Sequence, residues 1–367
     1  MNYKDTLILI NNSIGPKNLI IKELVQYFDG EENIIENFID CKKNIDFISE
    51  QDKIKLERNI DKEYIYKLKQ HILKEKINVI TKNDKIYPKK LNIIENSPYV
   101  IYTKGIIEDI NNLNLNIGVV GSRKATNYGK WVCEKFCKDL TINKISITSG
   151  MALGIDTISH RTCLENNGDT IAVLGCGIDV VYPKRNRKLY DKIAGKGLLL
   201  SEFPLKSEAR PYNFPVRNRL ISGLSDGILV VEASDRSGTL ITSTYAAEQG
   251  KEIFAIPGNI DNYLSKGTNQ LIREGAKITM SIEDILEEFP FHENKTQTKT
   301  TCINIDNSNY DKDEQIIINL LKEGSKNVIE ISEKSKMNQK NLLSKLTLLE
   351  MQGIISQEKG KNFRLKN

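Results

Sequence analysis

Short apolar segments alternate with longer amphipathic ones through residues 106–290, and this rhythm limits the possible fold more than any other feature. Each apolar segment has the length of a β-strand and is followed by roughly 20 residues, enough for a helix and its loops. Six strand candidates are Ile117–Val120, Ile145–Thr148, Thr170–Leu174, Gly197–Leu200, Gly227–Val231 and Ile253–Ile256. Strands joined through helices pair in parallel, because the helix carries the chain back to its starting edge. The pattern predicts an α/β fold with helices on both faces of a parallel sheet.

The residues before this core are predicted to form short helices. In residues 1–70, a turn at Pro16 leads into apolar side chains at helical spacing. We interpret this segment as a small helical domain of the helix-hairpin-helix or SAM-like kind, which either touches a nucleic-acid backbone or has a purely structural role. A further strand candidate at Ile77–Ile80 belongs to an extension of the core, so the predicted central domain spans residues 71–290.

The residues after the core predict a linker and a second small domain. Residues 291–311 are polar with little periodicity, as expected for a linker. In residues 312–367, three amphipathic segments precede two short strand candidates, which is the order of elements in a winged helix. This segment has 11 basic and 7 acidic residues, whereas residues 105–290 have 22 of each. Winged helices bind duplex DNA or mediate protein contacts, and the sequence leaves both alternatives open.

The composition argues against several classes of protein. No apolar run reaches the ~18 residues of a membrane span, and the N-terminus lacks the apolar stretch of a secretory signal. The 6 cysteines are scattered without a Cys-x-x-Cys pair, and the chain has only 3 histidines. A disulfide framework or a zinc site is therefore not expected. These features predict a cytoplasmic protein without a metal or another cofactor.

Polar, glycine-containing loops follow four of the predicted strands. They are Gly121-Ser122-Arg123, Ser149-Gly150, Gly175-Cys176-Gly177 and Ser237-Gly238-Thr239. In an open parallel sheet, such loops gather at the carboxyl edge. Glycine lets a ligand approach the backbone, a helix N-terminus offers free N–H groups to an anion, and Arg123 adds a planar cation. The sequence therefore predicts a phosphate-binding rim.

The rim does not match the usual nucleotide motifs. The glycine–lysine segment at 121–130 lacks the spacing of a Walker loop, and the Gly-x-Gly after the third core strand lacks the third glycine of a dinucleotide fingerprint. Asp156 and Glu232 are the carboxylates placed at the rim, and His160 is either a base beside Asp156 or a buried structural histidine. A nucleotide or nucleoside hydrolase is therefore one alternative interpretation.

Two basic loops extend the rim and contain aromatic residues. The first carries Tyr182, Lys184, Arg185, Asn186, Arg187 and Lys188, and the second carries Arg210, Tyr212, Phe214, Arg217 and Arg219. Cations can neutralise successive phosphates, and an aromatic ring that stacks on a base contributes ~1–3 kcal/mol. The same aromatic side chains would also suit a core. A groove for a repeating polyanion accounts for both loops better than a mononucleotide site does.

These motifs together resemble the DNA-processing protein A family (DprA, also called Smf). The matching runs are GVVGSR at 118–123, SGMALGID at 149–156, AVLGCGID at 172–179, YPKRN at 182–186, SEFP at 201–204, FPVRNRLI at 214–221, SGTL at 237–240 and IPG at 256–258. They occur in the order expected for that family, and the resemblance covers residues from about 85 to 280. The flanking helical and winged-helix segments also fit the usual architecture of the family.

The resemblance implies a Rossmann-like core that binds single-stranded DNA, forms a homodimer and helps to load the RecA recombinase in natural transformation. Such proteins protect incoming strands without catalysis, and single-strand-binding protein is a further implied partner. The family contacts DNA through residues that match Gly121, Ser122, Arg123 and Lys184. By position, we extend the predicted interface to Ser149, Gly150, Asn186, Arg217, Arg219, Ser237, Gly238 and Thr239. A duplex-DNA regulator acting through the winged helix is the other alternative.

Overall fold

The computed structural model describes residues 2–106, 110–235, 237–290, 310–322, 326–335, 337–352, 354–358 and 362–365. The chain divides into two compact units, residues 1–294 and 295–367. The linker predicted at 291–311 lies outside the described residues except for its last two positions. The four-part division of the chain stays a prediction. None of the helices in the described ranges is long and apolar enough to cross a membrane.

Helices form the N-terminal part of the first unit, as predicted. They are α1 (Tyr3–Ile14), α2 (Asn18–Tyr27), α3 (Glu31–Cys41), α4 (Glu50–Asn59) and α5 (Lys62–Lys74). Asn2 and Ser49 begin α1 and α4, where their side-chain oxygens accept backbone N–H groups of the first turn. The apolar faces of the helices bury side chains such as Leu9 in one core with Tyr102 of the central sheet. The N-terminal helices therefore pack on the sheet.

A mixed, mostly parallel sheet lies at the centre of the first unit. Its strands among the described residues are β1 (Asn78–Thr81), β2 (Val100–Gly105), β3 (Asn116–Val120), β4 (Ser146–Ser149), β5 (Thr170–Val173), β6 (Leu198–Ser201), β7 (Gly227–Val230), β8 (Glu252–Ala255) and β9 (Lys277–Ile278). Their order is β1-β2-β6-β5-β4-β3-β7-β8-β9. Within this order, every neighbouring pair in the run β6-β5-β4-β3-β7-β8-β9 is parallel, which confirms the predicted sheet.

One edge of the sheet differs from the prediction. Strands β1 and β2 pair antiparallel, and β2 also pairs antiparallel with β6, through Tyr102 opposite Ser201. The sheet is therefore mixed rather than parallel throughout. Strands β3, β4 and β5 separate β2 from β6 along the chain, so no local sequence pattern indicates their relative direction.

Helices cover both faces of the sheet. They are α6 (Lys89–Asn92), α7 (Asn127–Ile142), α8 (Ile155–Glu165), α9 (Arg187–Lys196), α10 (Asn213–Leu224), α11 (Gly238–Glu248), α12 (Lys266–Arg273) and α13 (Ile282–Leu286). On one face, α10 and α11 bury Leu220 and Ala246. On the other, α7 and α8 bury Phe136 and Ile158. Full burial of such a leucine or phenylalanine contributes about 1.5–3 kcal/mol, so this packing holds the loops at the sheet edge in place.

The strand order reverses between β3 and β7. From β3 the chain proceeds outward through β4, β5 and β6, and it then returns to β7 and continues through β8 to β9 on the other side. The loops after β3 and β7 therefore lead to opposite faces and open a crevice at the carboxyl edge, where open α/β sheets bind ligands. The loop at 121–123 and the start of α11 both lie at this point.

The second unit has the elements of a winged helix, as predicted. They are α14 (Lys312–Lys322), β10 (Lys326–Asn327), α15 (Val328–Ser335), α16 (Gln339–Met351), β11 (Ile355–Glu358) and β12 (Asn362–Leu365). β12 pairs antiparallel with both β10 and β11. Ile317, Ile331, Leu346 and Phe363 lie in its core. Strand β10 was not predicted from the sequence, and residues 359–361, between β11 and β12, lie outside the described residues.

Candidate nucleic-acid interface

A cleft of about 360 Å³ lies at the reversal of the strand order. Four segments form its walls: the loop after β3, the segment from Ala152 to Asp156 at the start of α8, residues 211–221 around the start of α10, and residues 237–242 at the start of α11. A second cavity of about 70 Å³ adjoins it, since Arg123, Ala152 and Phe214 line both. The predicted site residues that line one or both cavities are Gly121, Arg123, Gly150, Arg217, Ser237, Gly238 and Thr239. The fold therefore brings together segments that lie more than a hundred positions apart in the chain.

Arg217 supplies a buried positive charge at the floor of the cleft. Its Nη1 donates to Gly150 O at 2.6 Å and also to Val173 O, which ties α10 to the ends of β4 and β5. Burial lowers the pKa of Arg217 to about 10, although nearby Asp156 favours the charged form. The guanidinium stays protonated at neutral pH, so it contributes a cation fixed by the surrounding backbone.

Two guanidinium groups lie near the ring of Phe214. The Cζ atom of Arg123 is 5.5 Å from its ring centroid, and that of Arg217 is 6.0 Å away, both within the range of cation–π attraction. The ring of Tyr182 also packs against Phe214, and the two ring centroids are 5.5 Å apart with their planes inclined by 33°. Tyr182 is 44% exposed, whereas Phe214 is half-buried. An aromatic surface beside two cations suits both the bases and the phosphates of a nucleic-acid strand.

Two glycines allow the loops to approach each other around this cleft. A Cβ at Gly150 would lie 2.6 Å from Nη2 of Arg217. Gly154 has φ +80°, and a Cβ there would lie 2.2 Å from the carbonyl oxygen of Ser122. The neighbouring Ile155 N–H donates to that same oxygen at 3.1 Å, so the loop after β3 rests on the start of α8. Only glycine permits this contact at a left-handed position.

The N-terminus of α11 faces the cleft. Ser237 begins the helix, and its side-chain oxygen accepts the N–H of Thr239 at 3.1 Å. Helix N-termini carry partial positive charge and free N–H groups, both of which favour an anion. The cleft therefore combines backbone donors on one wall with guanidinium groups on the other.

Three of the predicted site residues shape the loops from inside the protein. The hydroxyl of Ser149 is fully buried and donates to Val119 O at 2.6 Å. Asn186 is also buried, and its Nδ2 donates to Met151 O at 2.9 Å. The hydroxyl of Ser122 accepts the N–H of the residue two positions later at 3.1 Å. These hydrogen bonds hold the rim in shape, and the assignment of the three residues to the DNA interface stays a prediction.

Arg219 does not lie in the cleft, although the sequence placed it on the binding surface. Its Nη2 contacts Oε2 of Glu202 at 2.5 Å, and both side chains are buried. Oε2 of Glu202 also accepts from Asn18 Nδ2 at 3.0 Å, so the ion pair connects α10 to the N-terminal helices. Arg217 and Arg219 are two positions apart on a helix, and residues at this spacing point in different directions.

Lys184 lies on the short 3₁₀ turn Lys184–Asn186, and its side chain is exposed. It is not among the residues that line the cleft or the smaller cavity. The turn is nevertheless attached to the rim, because its last residue bonds to Met151. Lys184 is thus available to a ligand that continues past the rim.

The acidic groups of the rim are engaged in the fold. Both carboxylate oxygens of Glu232 accept from Thr126, at 3.0 Å from its N–H and 2.5 Å from its hydroxyl. Asp156 accepts the N–H of Ala152 at 3.2 Å. Burial raises the pKa of Asp156, opposed mainly by the charge of Arg217. Both carboxylates therefore organise the loops around the cations.

His160 is a structural residue. It is fully buried, and its Nδ1 lies 2.7 Å from the hydroxyl of Thr170 on β5. Burial lowers the pKa of His160 to about 3, and the charge of Arg217 adds to this shift. A neutral imidazole inside the core fits the structural alternative left open by the sequence, rather than a base at the rim.

Replacing His160 with asparagine is expected to reduce the loss of stability in acid. The unfolded chain binds a proton on this histidine below pH ~6.5, whereas the folded chain stays neutral until about 3, so stability falls as the pH drops through this window. The slope from this single group approaches ~1.4 kcal/mol per pH unit. Urea unfolding of the variant and the parent at several pH values tests this. Parallel slopes for the two proteins would contradict it.

Two further polar residues, Asn218 and Thr242, line the cleft and were not predicted from the sequence. Asn218 Oδ1 accepts from Arg217 Nε at 3.1 Å, and its Nδ2 donates to Gly238 O at 3.3 Å, which joins α10 to the start of α11. Thr242 also lines the cleft. It lies four residues after Gly238, on the same face of the helix, so helical periodicity was the available signal.

Comparison with known proteins gives the family of this chain. A family model described as DNA recombination-mediator protein A matches residues 78–290. DNA processing protein DprA of Streptococcus pneumoniae is 44% identical over 212 residues, which are 57% of this chain and 73% of that protein.

Two solved structures agree with this match. The X-ray structure of DprA from S. pneumoniae superposes with a TM-score of 0.65 at 34% identity and covers 78% of this chain and 97% of that one. A structure reported for the single-stranded DNA binding mode of DNA processing protein A from Helicobacter pylori has a TM-score of 0.53 at 28% identity. It covers 59% of this chain and 96% of that one. The family model, the relative and both structures agree with the motifs of the sequence, and the chain belongs to the DNA recombination-mediator protein A family.

Proposed function

We propose that this chain binds single-stranded DNA along the cleft and acts in the cytoplasm as a non-catalytic recombination mediator. In this role it forms a homodimer, protects strands that enter during natural transformation and helps to load RecA onto them. The observation that carries the proposal is the aromatic surface of Phe214, flanked at 5.5 and 6.0 Å by two guanidinium groups. The single-stranded DNA binding mode reported for the H. pylori relative supports it.

The chemistry of the cleft predicts how a strand binds. Phosphates lie against Arg123, the loop at 121–123 and the N-terminus of α11, because these groups supply positive charge and free N–H donors. Bases stack on Phe214 and Tyr182, whose rings already lie together. Neither kind of contact reads the hydrogen-bonding edge of a base, so binding tolerates any sequence. Lys184 extends the contact beyond the cleft.

Replacing Arg123 with alanine is expected to weaken all single strands alike. A charge-assisted hydrogen bond contributes about 1.5–3 kcal/mol, which corresponds to roughly tenfold or more in Kd. The plot of log K against log salt flattens by ~0.7 for each lost phosphate contact. Fluorescence anisotropy of a labelled oligonucleotide across a salt series measures both effects. Arg58→Ala, at an exposed cation of α4, is the matched control and should leave affinity and slope unchanged.

The same titration separates the proposal from its rivals. Tighter binding of duplex than of single strand would contradict it and favour a regulator that acts through the winged helix. Absence of binding to either form, together with release of base or phosphate from nucleotides, would favour a hydrolase. The mediator role is tested with RecA on single strands coated with single-strand-binding protein. This chain should shorten the delay before RecA assembles, whereas Arg123→Ala should not.

A further inference from the structure

A second, strongly basic groove lies beside the cleft, between α8 and α9. It encloses about 720 Å³. Its cationic side chains are Arg161, Arg185, Lys188, Lys192 and Lys196, and its single carboxylate belongs to Glu165. None of the described residues that line it is aromatic. A groove with this lining attracts a phosphate backbone and offers no ring on which a base could stack.

The lysines of α9 form a row along one face of the helix. Lys188, Lys192 and Lys196 recur every four residues, so they lie ~6 Å apart along the helix axis. All three are exposed, and among the described residues none of them has a carboxylate within 4.0 Å. Like charges four residues apart destabilise a helix by about 0.2–0.5 kcal/mol per pair. Repulsion within this row of lysines therefore destabilises α9, and an anion that contacts all three side chains would relieve the repulsion.

The opposite wall adds charge from α8. Arg161 faces the groove, although it also contacts Glu134 of α7 at 3.0 Å. At the end of the groove nearest to the rim, Arg185 precedes the lysine row on the turn that carries Lys184. The positive charge therefore continues without interruption from the turn into the groove.

Asn186 connects the groove to the DNA cleft. Its Nδ2 donates to Met151 O, which belongs to the smaller cavity, and to the hydroxyl of Thr157, which lines the groove, both at 2.9 Å. Asn186 itself also lines the groove. One buried side chain therefore fixes the two surfaces relative to each other, so that a strand which passes Lys184 meets the groove next.

We propose that this groove is the second segment of the single-stranded DNA path and binds only the sugar–phosphate backbone. The proposal rests on the proposed function of the cleft. The strand leaves the stacking surface of Phe214 at the Lys184 turn, and its phosphates then follow the lysine row of α9. Its bases point away from the protein in this segment, because the groove has no surface for them, and they remain available for pairing.

The experiment compares short and long strands on one double variant. Lys188→Gln together with Lys192→Gln removes two exposed cations without disturbing the core, so the parent stability in urea is expected. Anisotropy is measured with oligothymidylates of ~5 and ~20 nucleotides across a salt series. The long strand should lose affinity, and its salt slope should flatten by ~1.4 for two lost contacts. The short strand, which fills only the cleft, should be unaffected.

The matched control is Lys62→Gln with Lys74→Gln, two exposed lysines of α5, and it should leave both strands unchanged. If the affinities for the short and the long strand fell equally, or if neither fell, the groove would not be a separate segment and the proposal would be overturned. Weaker binding of duplex with unchanged single-strand binding would overturn it in favour of a duplex site. Arg123→Ala distinguishes this failure from failure of the proposed function, because that variant should weaken the short strand if the cleft proposal holds, whatever the double variant does.

Discussion

Replacing Arg219 with methionine is expected to lower the free energy of unfolding of the first unit by about 3–5 kcal/mol. The substitution leaves the fully buried carboxylate of Glu202 without its cation. Burial already raises the pKa of Glu202, and the charge of Arg219 is the main effect that opposes this. The loss of the pair also affects the contact between the sheet and the N-terminal helices, since Asn18 donates to the same carboxylate oxygen. Urea unfolding followed by circular dichroism measures the change.

A second substitution separates charge from packing. In the double variant Arg219→Met with Glu202→Gln, the buried charge is gone and the glutamine oxygen can still accept from Asn18, so most of the stability should return. Single-strand affinity of the folded protein should equal that of the parent in both variants, because Arg219 lies outside the cleft. An unstable double variant would contradict the ion-pair argument. A selective loss of DNA binding would restore Arg219 to the interface.

Replacing Arg217 with methionine is expected to lower the free energy of unfolding and to weaken the binding of single-stranded DNA. The carbonyl groups of Gly150 and Val173 lose their donor, and each unpaired buried acceptor costs about 1–3 kcal/mol. Asp156 also loses the cation that most opposes its desolvation, so the pKa of Asp156 rises further. Phe214 loses one of its two guanidinium neighbours. Unfolding in urea and single-strand anisotropy measure the two losses on the same protein.

Arg217→Lys is the matched control. It keeps the positive charge, but a lysine cannot reproduce the planar fork that reaches both carbonyl groups. Binding should therefore recover in part, while stability stays below that of the parent. Arg123→Ala should show the opposite pattern, with weak binding at parent stability, because none of the hydrogen bonds found in the described residues involves the Arg123 side chain. Parent-like stability of Arg217→Met would contradict the structural half of this prediction.

The alternation of strands and helices could be predicted from the sequence because it is a local property. A strand such as Ile117–Val120 is a short apolar run, and a helix such as α7 presents buried side chains at helical spacing. The winged-helix elements were found in the same way. The antiparallel strand β2 was not predicted, since its direction depends on a partner that lies far along the chain.

Part of the candidate site could also be predicted from the sequence. Glycine-rich loops at strand ends identified the segments that meet, including Gly121–Arg123 and Ser237–Thr239. The sequence could not distinguish Arg217 from Arg219, since both stand in the same motif on one helix. The structure places one at the floor of the cleft and the other in a buried ion pair with Glu202. The sequence also could not show that the side chain of Asn186 donates to Met151 O inside the protein, whereas Lys184, two positions earlier, is exposed.

The sequence by itself determined the elements, their order and the chemical character of the loops, because hydrophobic periodicity, caps and turn residues act over a few positions. Only the tertiary structure decided which loops meet. The reversal of strand order between β3 and β7 places the loop at 121–123 beside the start of α11, and the packing of α10 brings Phe214 close to the guanidinium groups of Arg123 and Arg217. Contacts between such distant segments depend on strand pairing and core packing, which no local pattern specifies.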